Sequence, residues 1–345
     1  MTEQKCTLFT KFLRNEKIDL FFSTTYCRDR LFTSDNIDDT LKFYETFHSL
    51  EELIEWMKER PRGRAEIIEV EGDKEIIVVI PTADFDGKYA KKCRENIFKG
   101  LHIIFVESGS PKDPYFNYAH NCNNGIKRAL EYNPKWIVIS NDDMIKVDDV
   151  DILKKELMGL PDDVYFAFAR QRRQMVVEWS VGKVNLLGRI AFLLTPRGGK
   201  LLYLAKILEL RQKFDIEYVL VRSKFTMTRW FEILYLKTKE SFTNSGFFNV
   251  IRSTYIRNLA RPLLDETFVN GIEDVDLYLR ISRNKIKTAD INYRIGNLIG
   301  ESIGRGIKRS IKEICNETYL NQKMFKNENF QSDHLKKSSP TKEKL

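Results

Sequence analysis

The sequence predicts an α/β protein whose mostly parallel central sheet is flanked by helices. Three runs carry that expectation: Ile76-Ile77-Val78-Val79-Ile80, His102-Ile103-Ile104-Phe105-Val106 and Trp136-Ile137-Val138-Ile139. Each is short, continuous, apolar and rich in β-branched residues, the pattern of a strand buried on both faces. Helical spacing separates them. Tyr89, Cys93 and Ile97 recur every four residues before Gly100, and Ile126, Ala129 and Leu130 share a face before the Asn133-Pro134 turn. Strand, helix, strand, helix, strand at this spacing predicts right-handed crossovers and parallel pairing. In such sheets ligands bind beyond the carboxyl ends of the strands.

Residues 1–74 read as a partly helical extension. A helix is predicted from Ile37 to Phe47, with Leu41, Tyr44 and Phe47 on one face. A second begins at Ser49, where Glu52 three residues later completes a capping box. Leu53, Ile54 and Met57 form its stripe, Lys58 and Arg60 fall in its last turn, and Pro61 with Gly63 stops it. The main α/β domain is expected over 75–310, with a basic, partly apolar insert at about 170–240. Residues 311–345 read as a polar tail, rich in Lys, Asn and Ser from Glu317 onward, and are expected to be disordered.

Composition narrows the function classes. A 345-residue chain that is 42% hydrophobic can bury a sizeable core, which excludes global disorder. Nine prolines and 17 glycines exclude a collagen-like or low-complexity chain. No apolar run approaches the roughly 18 residues of a membrane-spanning helix. The N-terminus lacks the apolar core of a signal peptide, so the expected location is the cytoplasm. Cys6, Cys27, Cys93, Cys122 and Cys315 are scattered and never form C-x-x-C, which argues against disulfides and structural zinc. His48, His102, His120 and His334 are not paired at metal-ligand spacing, so carboxylates are expected to hold any divalent cation. The net charge is +8, and Arg170–Arg229, with thirteen basic and four acidic residues, carries the whole excess. That points to an anionic partner, or to an ordinary solvated face. Few aromatics there are flanked by Arg or Lys, which argues against nucleic acid.

The expected strand ends are polar: Pro81-Thr82-Ala83-Asp84, Glu107-Ser108-Gly109-Ser110 and Ser140-Asn141-Asp142-Asp143. Neither GxGxxG nor a P-loop is present, so side chains would have to hold a nucleotide. Asp142 and Asp143 are adjacent carboxylates at the end of a buried strand, where they repel each other and lose water. Mg²⁺ or Mn²⁺ would offset both costs and take phosphate oxygens as further ligands. A helix-capping or turn role would also explain them. A second cluster, Gly271-Ile272-Glu273-Asp274-Val275-Asp276, opens a helix whose macrodipole favours anions. Charge complementation alone would account for it, and so would a general base acting on a hydroxyl.

Together these segments resemble the inverting, GT-A-fold glycosyltransferases of family 2, with a rhamnosyltransferase-like pattern, over about residues 75–302. Residues 77–82 (IVVIPT) are similar to the family's opening strand, and Phe105–Ser110 to its V-D-x-G-S segment. Asn123-Asn124-Gly125-Ile126 resembles its N-x-G-I element, and Ile139–Asp143 its D-x-D metal region in N-D-D form. Gly246–Arg252 resembles the strand before the acceptor site. Leu264–Phe268 followed by Gly271–Arg280 resembles the fDe-F and g-ED-vdl-xR signature. The resemblance implies that Pro81, Thr82, Asp84, Glu107, Ser108 and Asn123 line the nucleotide-sugar pocket. Glu107 stands where the family has Asp. Asp143 would hold a divalent metal, Mg²⁺ or Mn²⁺, bridging the diphosphate, with Asp142 reaching the ribose or the metal. Asp274 would be the catalytic base and Glu273 would shape the acceptor site. Asn297 replaces a His often found as a third metal ligand, in the run Asn297–Ser302.

The implied partners are a nucleoside-diphosphate-sugar donor and a glycan, glycoprotein or lipid-linked acceptor. A sugar-phosphate nucleotidyltransferase is a rival reading, disfavoured by the acidic Asp84-Phe85-Asp86 where a triphosphate would need basic residues. A non-enzymatic anion- or membrane-binding module is another. Residues 183–213 carry two apolar runs, Ile190–Leu194 and Leu201/Leu204/Leu208, flanked by basic residues. Either they pack as core helices or they form an interfacial surface on an anionic membrane.

Overall fold

A computed structural model describes residues 27–109, 113–171, 177–187, 201–223, 236–237, 240–244, 246–298 and 307–326. The three expected strands form within a few residues of their predicted bounds: β2 (Asp73–Thr82), β3 (Leu101–Glu107) and β4 (Trp136–Ser140), where β1 (Glu66–Val70) precedes them. β3, β2 and β4 lie side by side and pair parallel. Beyond them the sheet becomes mixed. Its eight strands run in the order β1-β3-β2-β4-β10-β6-β11-β5, with β5 (Met144–Lys146), β6 (Phe166–Gln171), β10 (Phe248–Arg252) and β11 (Thr288–Asn297). β10 is antiparallel to both β4 and β6, and β11 is parallel to β6. The expectation of a mostly parallel sheet therefore holds for β2, β3 and β4, and the second half is mixed.

Helices cover both faces. On one side, α3 (Lys88–Lys92), the π-helical turn Cys93–Ile97 and α5 (Val150–Met158) pack on Ile76, Val78, Ile80, Ile103 and Val138. On the other, α4 (Tyr118–Glu131) packs on Val79 and Val106. The N-x-G-I element explains how closely it approaches: a Cβ on Gly125 would lie 2.3 Å from Val79 Cγ1.

Residues 27–74 do not stand apart from the main domain. α1 (Ile37–Glu45) and α2 (Leu50–Glu59) bury Phe43, Tyr44, Leu53 and Met57 in the same core as Val79 and Ile139, and β1 pairs with β3. Ser49 caps α2 as predicted, accepting from Glu52 N, while Glu52 reaches back to His48 N.

The tail also departs from expectation. α9 (Ile307–Asn321) and a π-helical turn, Gln322–Lys326, are ordered and packed. Ile311, Ile314, Cys315, Tyr319 and Leu320 make a helical stripe that is buried against α1 and α2. Its polar composition concealed the stripe, because Asn316, Thr318, Asn321 and Lys323 are themselves buried with partners. Residues 327–345 lie outside the described residues.

The basic insert forms a three-stranded antiparallel sheet, β8-β7-β9, from β7 (Val177–Lys183), β8 (Tyr218–Ser223) and β9 (Glu240–Asn244). α6 (Leu201–Lys213) buries Ile207 and Leu210 in the main core and lies against α9. The second half of this helix is thus a core helix. Ile190–Leu194 lies outside the described residues. Among the described residues no helix is long and apolar enough to cross a membrane.

Candidate functional site

The carboxyl ends of β2, β3 and β4 bring most of the expected residues together. Thr82, the last residue of β2, donates through Oγ1 to Asp142 Oδ2 at 2.8 Å, spanning 60 positions of sequence. Ser108 follows β3 and donates through both its backbone N and its Oγ to Thr82 O. Glu107, the end of β3, accepts from Phe85 N at 2.9 Å and pairs with Arg64 Nη2 at 3.4 Å. Asp84 is held in the same turn, its backbone N bonding to Thr82 Oγ1 at 3.4 Å and its Oδ1 accepting from Asp86 N. Pro81 is buried beyond Val79, the last β2 residue paired with β4, so its missing N–H costs no ladder bond there.

Asp142 and Asp143 form the turn between β4 and β5 and are partly buried. Backbone bonds fix the turn: Asn141 N to Phe247 O, and Leu298 N to Asp143 O. Cys93 Sγ approaches Asp142 O at 3.2 Å. Burial and the two Asp charges push the Cys93 thiol up to about 12, so it stays protonated beside them. Two carboxylates on a rigid turn make an oxygen-only donor set, which suits a hard cation such as Mg²⁺ or Mn²⁺. Asn297 ends β11 opposite Met144, next to this turn, and Ile299–Ser302 lie outside the described residues.

Asn123 does something else. Its amide nitrogen donates to Leu264 O and Glu266 Oε1, and its oxygen accepts from Leu264 N. It staples α4 to the 264–266 segment, so it acts as a clamp and contributes no free group to the strand-end cluster.

The second carboxylate cluster opens α8 (Glu273–Arg283). Entry to this helix is strained. Asn270 and Ile272 both adopt left-handed φ, 51° and 71°, and for a β-branched residue such as Ile272 that is an outlier. Asn270 is held in place by Tyr118 N, which donates to its Oδ1 at 2.8 Å, and by its own donation to Phe116 O at 2.7 Å. Asp274 Oδ1 accepts from Val275 N at 2.8 Å. Glu273 is 7% exposed, and its Oε2 has no hydrogen-bond partner among the described residues. Burial and the charge of Asp274 push its carboxyl up to about 8.

Tyr118 joins the two clusters. Its hydroxyl donates to Asn141 Oδ1 at 3.1 Å, and Glu273 and Asp274 act on the same ring electrostatically. The β4–β5 turn and the segment that enters α8 are therefore both hydrogen-bonded to one residue of α4, the first through Asn141 and the second through Asn270. The sequence carried no signal for Tyr118. It also gave none for Glu313, which α9 carries against this cluster and which burial holds above the usual carboxylate range.

Below Glu273 lies a compensated charge network. Asp276 is fully buried, with Arg280 Nε at 3.0 Å and Lys323 Nζ at 2.8 Å. Lys323 also reaches Asp265 Oδ2 at 2.6 Å, and Tyr319 donates to the same oxygen at 2.9 Å. Lys323 and these bonds overcome the burial of Asp265 and hold its carboxyl well below the usual range. Asp265 and Glu266 of the fDe-F segment are thus structural: Glu266 pairs with His120 Nδ1 at 2.9 Å and with Asn123.

A third cluster was not foreseen. Glu69, Glu71 and His102 offer ligand atoms within 4.8 Å of one another and could hold a metal ion. They lie at the opposite end of β3 from Glu107.

No protein-family model matches this sequence, and no curated protein matches it.

Proposed function

We propose that the chain is an inverting glycosyltransferase of GT-A type, moving a sugar from a nucleoside-diphosphate sugar to a hydroxyl acceptor. The observation that supports this most is that Tyr118 ties together the two segments that carry carboxylate pairs, through Asn141 on one side and Asn270 on the other. One pair lies on a strand-end turn suited to a hard cation, the other at the start of a buried helix.

In this reading Thr82, Asp84, Glu107 and Ser108 form the wall that receives the nucleoside. Asp142 and Asp143 would hold the divalent metal, which when bound neutralises charge on the departing diphosphate. Thr82 fixes Asp142 so that its carboxylate does not have to reorganise as donor arrives. Asp274 removes the proton from the acceptor hydroxyl, whose oxygen attacks the anomeric carbon. The C–O bond to the diphosphate breaks with its electron pair leaving on the phosphate oxygen, and configuration inverts in a single displacement. Glu273, kept protonated at neutral pH by its surroundings, donates a hydrogen bond to the acceptor rather than competing as a second base. The acceptor is a glycan, a glycoprotein or a lipid-linked glycan, the last requiring peripheral contact with the cytoplasmic face of a membrane.

The test is turnover. The purified chain is incubated with a panel of nucleotide sugars, Mg²⁺ or Mn²⁺ and candidate acceptors, and released nucleoside diphosphate is measured. Asp143→Asn is expected to abolish release nearly completely while the fold survives, and EDTA to do the same to the parent chain. Release of pyrophosphate, or full activity in Asp143→Asn, would defeat the reading.

A further inference from the structure

The unforeseen cluster at the other end of β3 carries a separate inference. In the antiparallel β1–β3 pair, Val70 faces Ile103 and Glu69 faces Ile104. Continuing that register sets Glu71 opposite His102 and Glu69 diagonal to it, all three on one face. Gly72 makes the approach possible: a Cβ there would lie 2.4 Å from the carbonyl of Leu101.

His102 is fully buried. Its Nε2 lies 2.8 Å from Glu69 Oε2, a carboxylate that also accepts from Tyr132 OH and, through Oε1, from Arg128 Nε, both at 2.7 Å. Glu69 has no proton to give, so Nε2 carries the hydrogen. Nδ1 is then a lone pair or a second N–H. It is buried without a hydrogen-bond partner among the described residues, and Glu71 Oε2 stands 3.6 Å away. A lone pair facing a carboxylate is repulsive and unsatisfied. A cation between them resolves both.

We propose that His102 and Glu71 are ligands of a divalent-metal site of the zinc class, with Glu69 orienting the imidazole from the opposite nitrogen. The geometry fits. Zinc bonds of about 2.0–2.1 Å in a tetrahedral arrangement put two ligand atoms roughly 3.4 Å apart. Carboxylate, imidazole and metal in line is the arrangement by which an outer carboxylate fixes the tautomer of a metal-binding His. Lys74 pairs with Glu71 at 3.1 Å, but both are well exposed, and such a surface pair contributes little and gives way readily. Arg128 and Tyr132 stay on Glu69. Waters complete the coordination. The ion clips the β1–β2 turn to the start of β3. That is five residues from Glu107, or roughly 16 Å along the strand, so the site is independent of the proposed transfer centre.

The experiment uses the tag-free full chain and Zn²⁺ alone. Calorimetric titration with a competing chelator is expected to show one ion per chain. Glu71→Gln, at an exposed position, is expected to weaken binding about tenfold or more without unfolding the chain. On Zn²⁺ addition the ¹⁵N resonance of His102 Nδ1 should move and that of Nε2 should keep its N–H character. Three results would overturn the site: no stoichiometric Zn²⁺, affinity unchanged in Glu71→Gln, or an Nδ1 that reports imidazolium and ignores the metal. Zinc lost in Asp143→Asn and retained in Glu71→Gln would place the ion elsewhere and also overturn it. None of these readouts depends on sugar transfer.

Discussion

Glu273 and Asp276 sit one turn apart on the same helix, both buried, and differ in what faces them. Asp276 meets two cations, Arg280 and Lys323, and through Lys323 it is tied to Asp265. Glu273 meets the acidic neighbours Asp274 and Glu313, whose charges add to its burial and raise its carboxyl. The same desolvation acts on both positions, and the charge around them decides the outcome. A compensated carboxylate becomes an anchor. An uncompensated one takes up a proton or waits for a ligand. This contrast separates the structural acids of α8 from the chemical ones, although in sequence they form one acidic run.

The largest effects should come from breaking the compensated side. Lys323→Met leaves Asp276 and Asp265 short of a buried cation and is expected to cost about 3–5 kcal/mol, measured by urea unfolding. A loss below about 1 kcal/mol would mean that Arg280 alone suffices. Because Lys323 belongs to the Gln322–Lys326 turn, truncation before Gln322 should destabilise the chain comparably.

Next comes the chemical side. Asp274→Asn is expected to lower turnover by about two orders of magnitude, with donor and metal binding nearly unchanged, the usual scale for loss of a general base. Loss of donor affinity at constant turnover would assign Asp274 to binding. Glu273→Gln should do less damage, because the amide can still donate a hydrogen bond where the protonated carboxyl did.

The contrast also predicts opposite pH dependences. The Glu273 carboxyl is raised to about 8 from its ordinary value of 4.5, so the folded state holds the proton more tightly than the unfolded state. Its contribution is fully present below about pH 4.5 and is lost as pH rises toward 8, so stability should fall across that window. Glu273→Gln should flatten the decline, leaving a shallower slope of the same sign from Glu313, which is also held above its ordinary value. Asp265 behaves oppositely. Its lowered carboxyl gives stability above the ordinary Asp range that is lost as pH falls below it, and Asp265→Asn should remove that acid sensitivity. Unfolding curves at pH 3, 5, 6.5 and 8 would show both, and identical slopes in the parent and Glu273→Gln would break the comparison.

The smallest effect expected is at the clamp. Asn123→Ala removes three hydrogen bonds between α4 and the 264–266 segment and should cost about 1–3 kcal/mol. Turnover at a temperature well below unfolding should change little, since Asn123 is spent on the protein itself.

The parallel strands were legible because each is buried on both faces and must be apolar throughout. Ile76–Ile80 and Trp136–Ile139 could be little else. Ser49 was legible because a cap and its Glu are local. The strand ends were legible for a related reason: polar residues directly after a buried strand must emerge where the sheet ends. What stayed hidden depends on partners distant in sequence. The stripe of α9 is diluted by Asn316, Thr318 and Lys323, which read as solvent-facing until Val269 and Asp276 are seen beside them. Tyr118 looks like any aromatic until it is seen bonded to both Asn141 and Asn270. His102 looks like one position of a buried strand, because its partners Glu69 and Glu71 come from a neighbouring strand and turn.

The sequence by itself determined the parallel βαβαβ unit, its caps and the polar character of its strand ends, because these follow from burial and from contacts a few residues long. The tertiary structure alone decided the mixed second half of the sheet and the packing of α1, α2 and α9 into the core. It also decided which of the acids on α8 would be neutralised. Those outcomes depend on which charge or apolar face the folded chain brings opposite, and Lys323 reaches Asp276 only after α9 has packed.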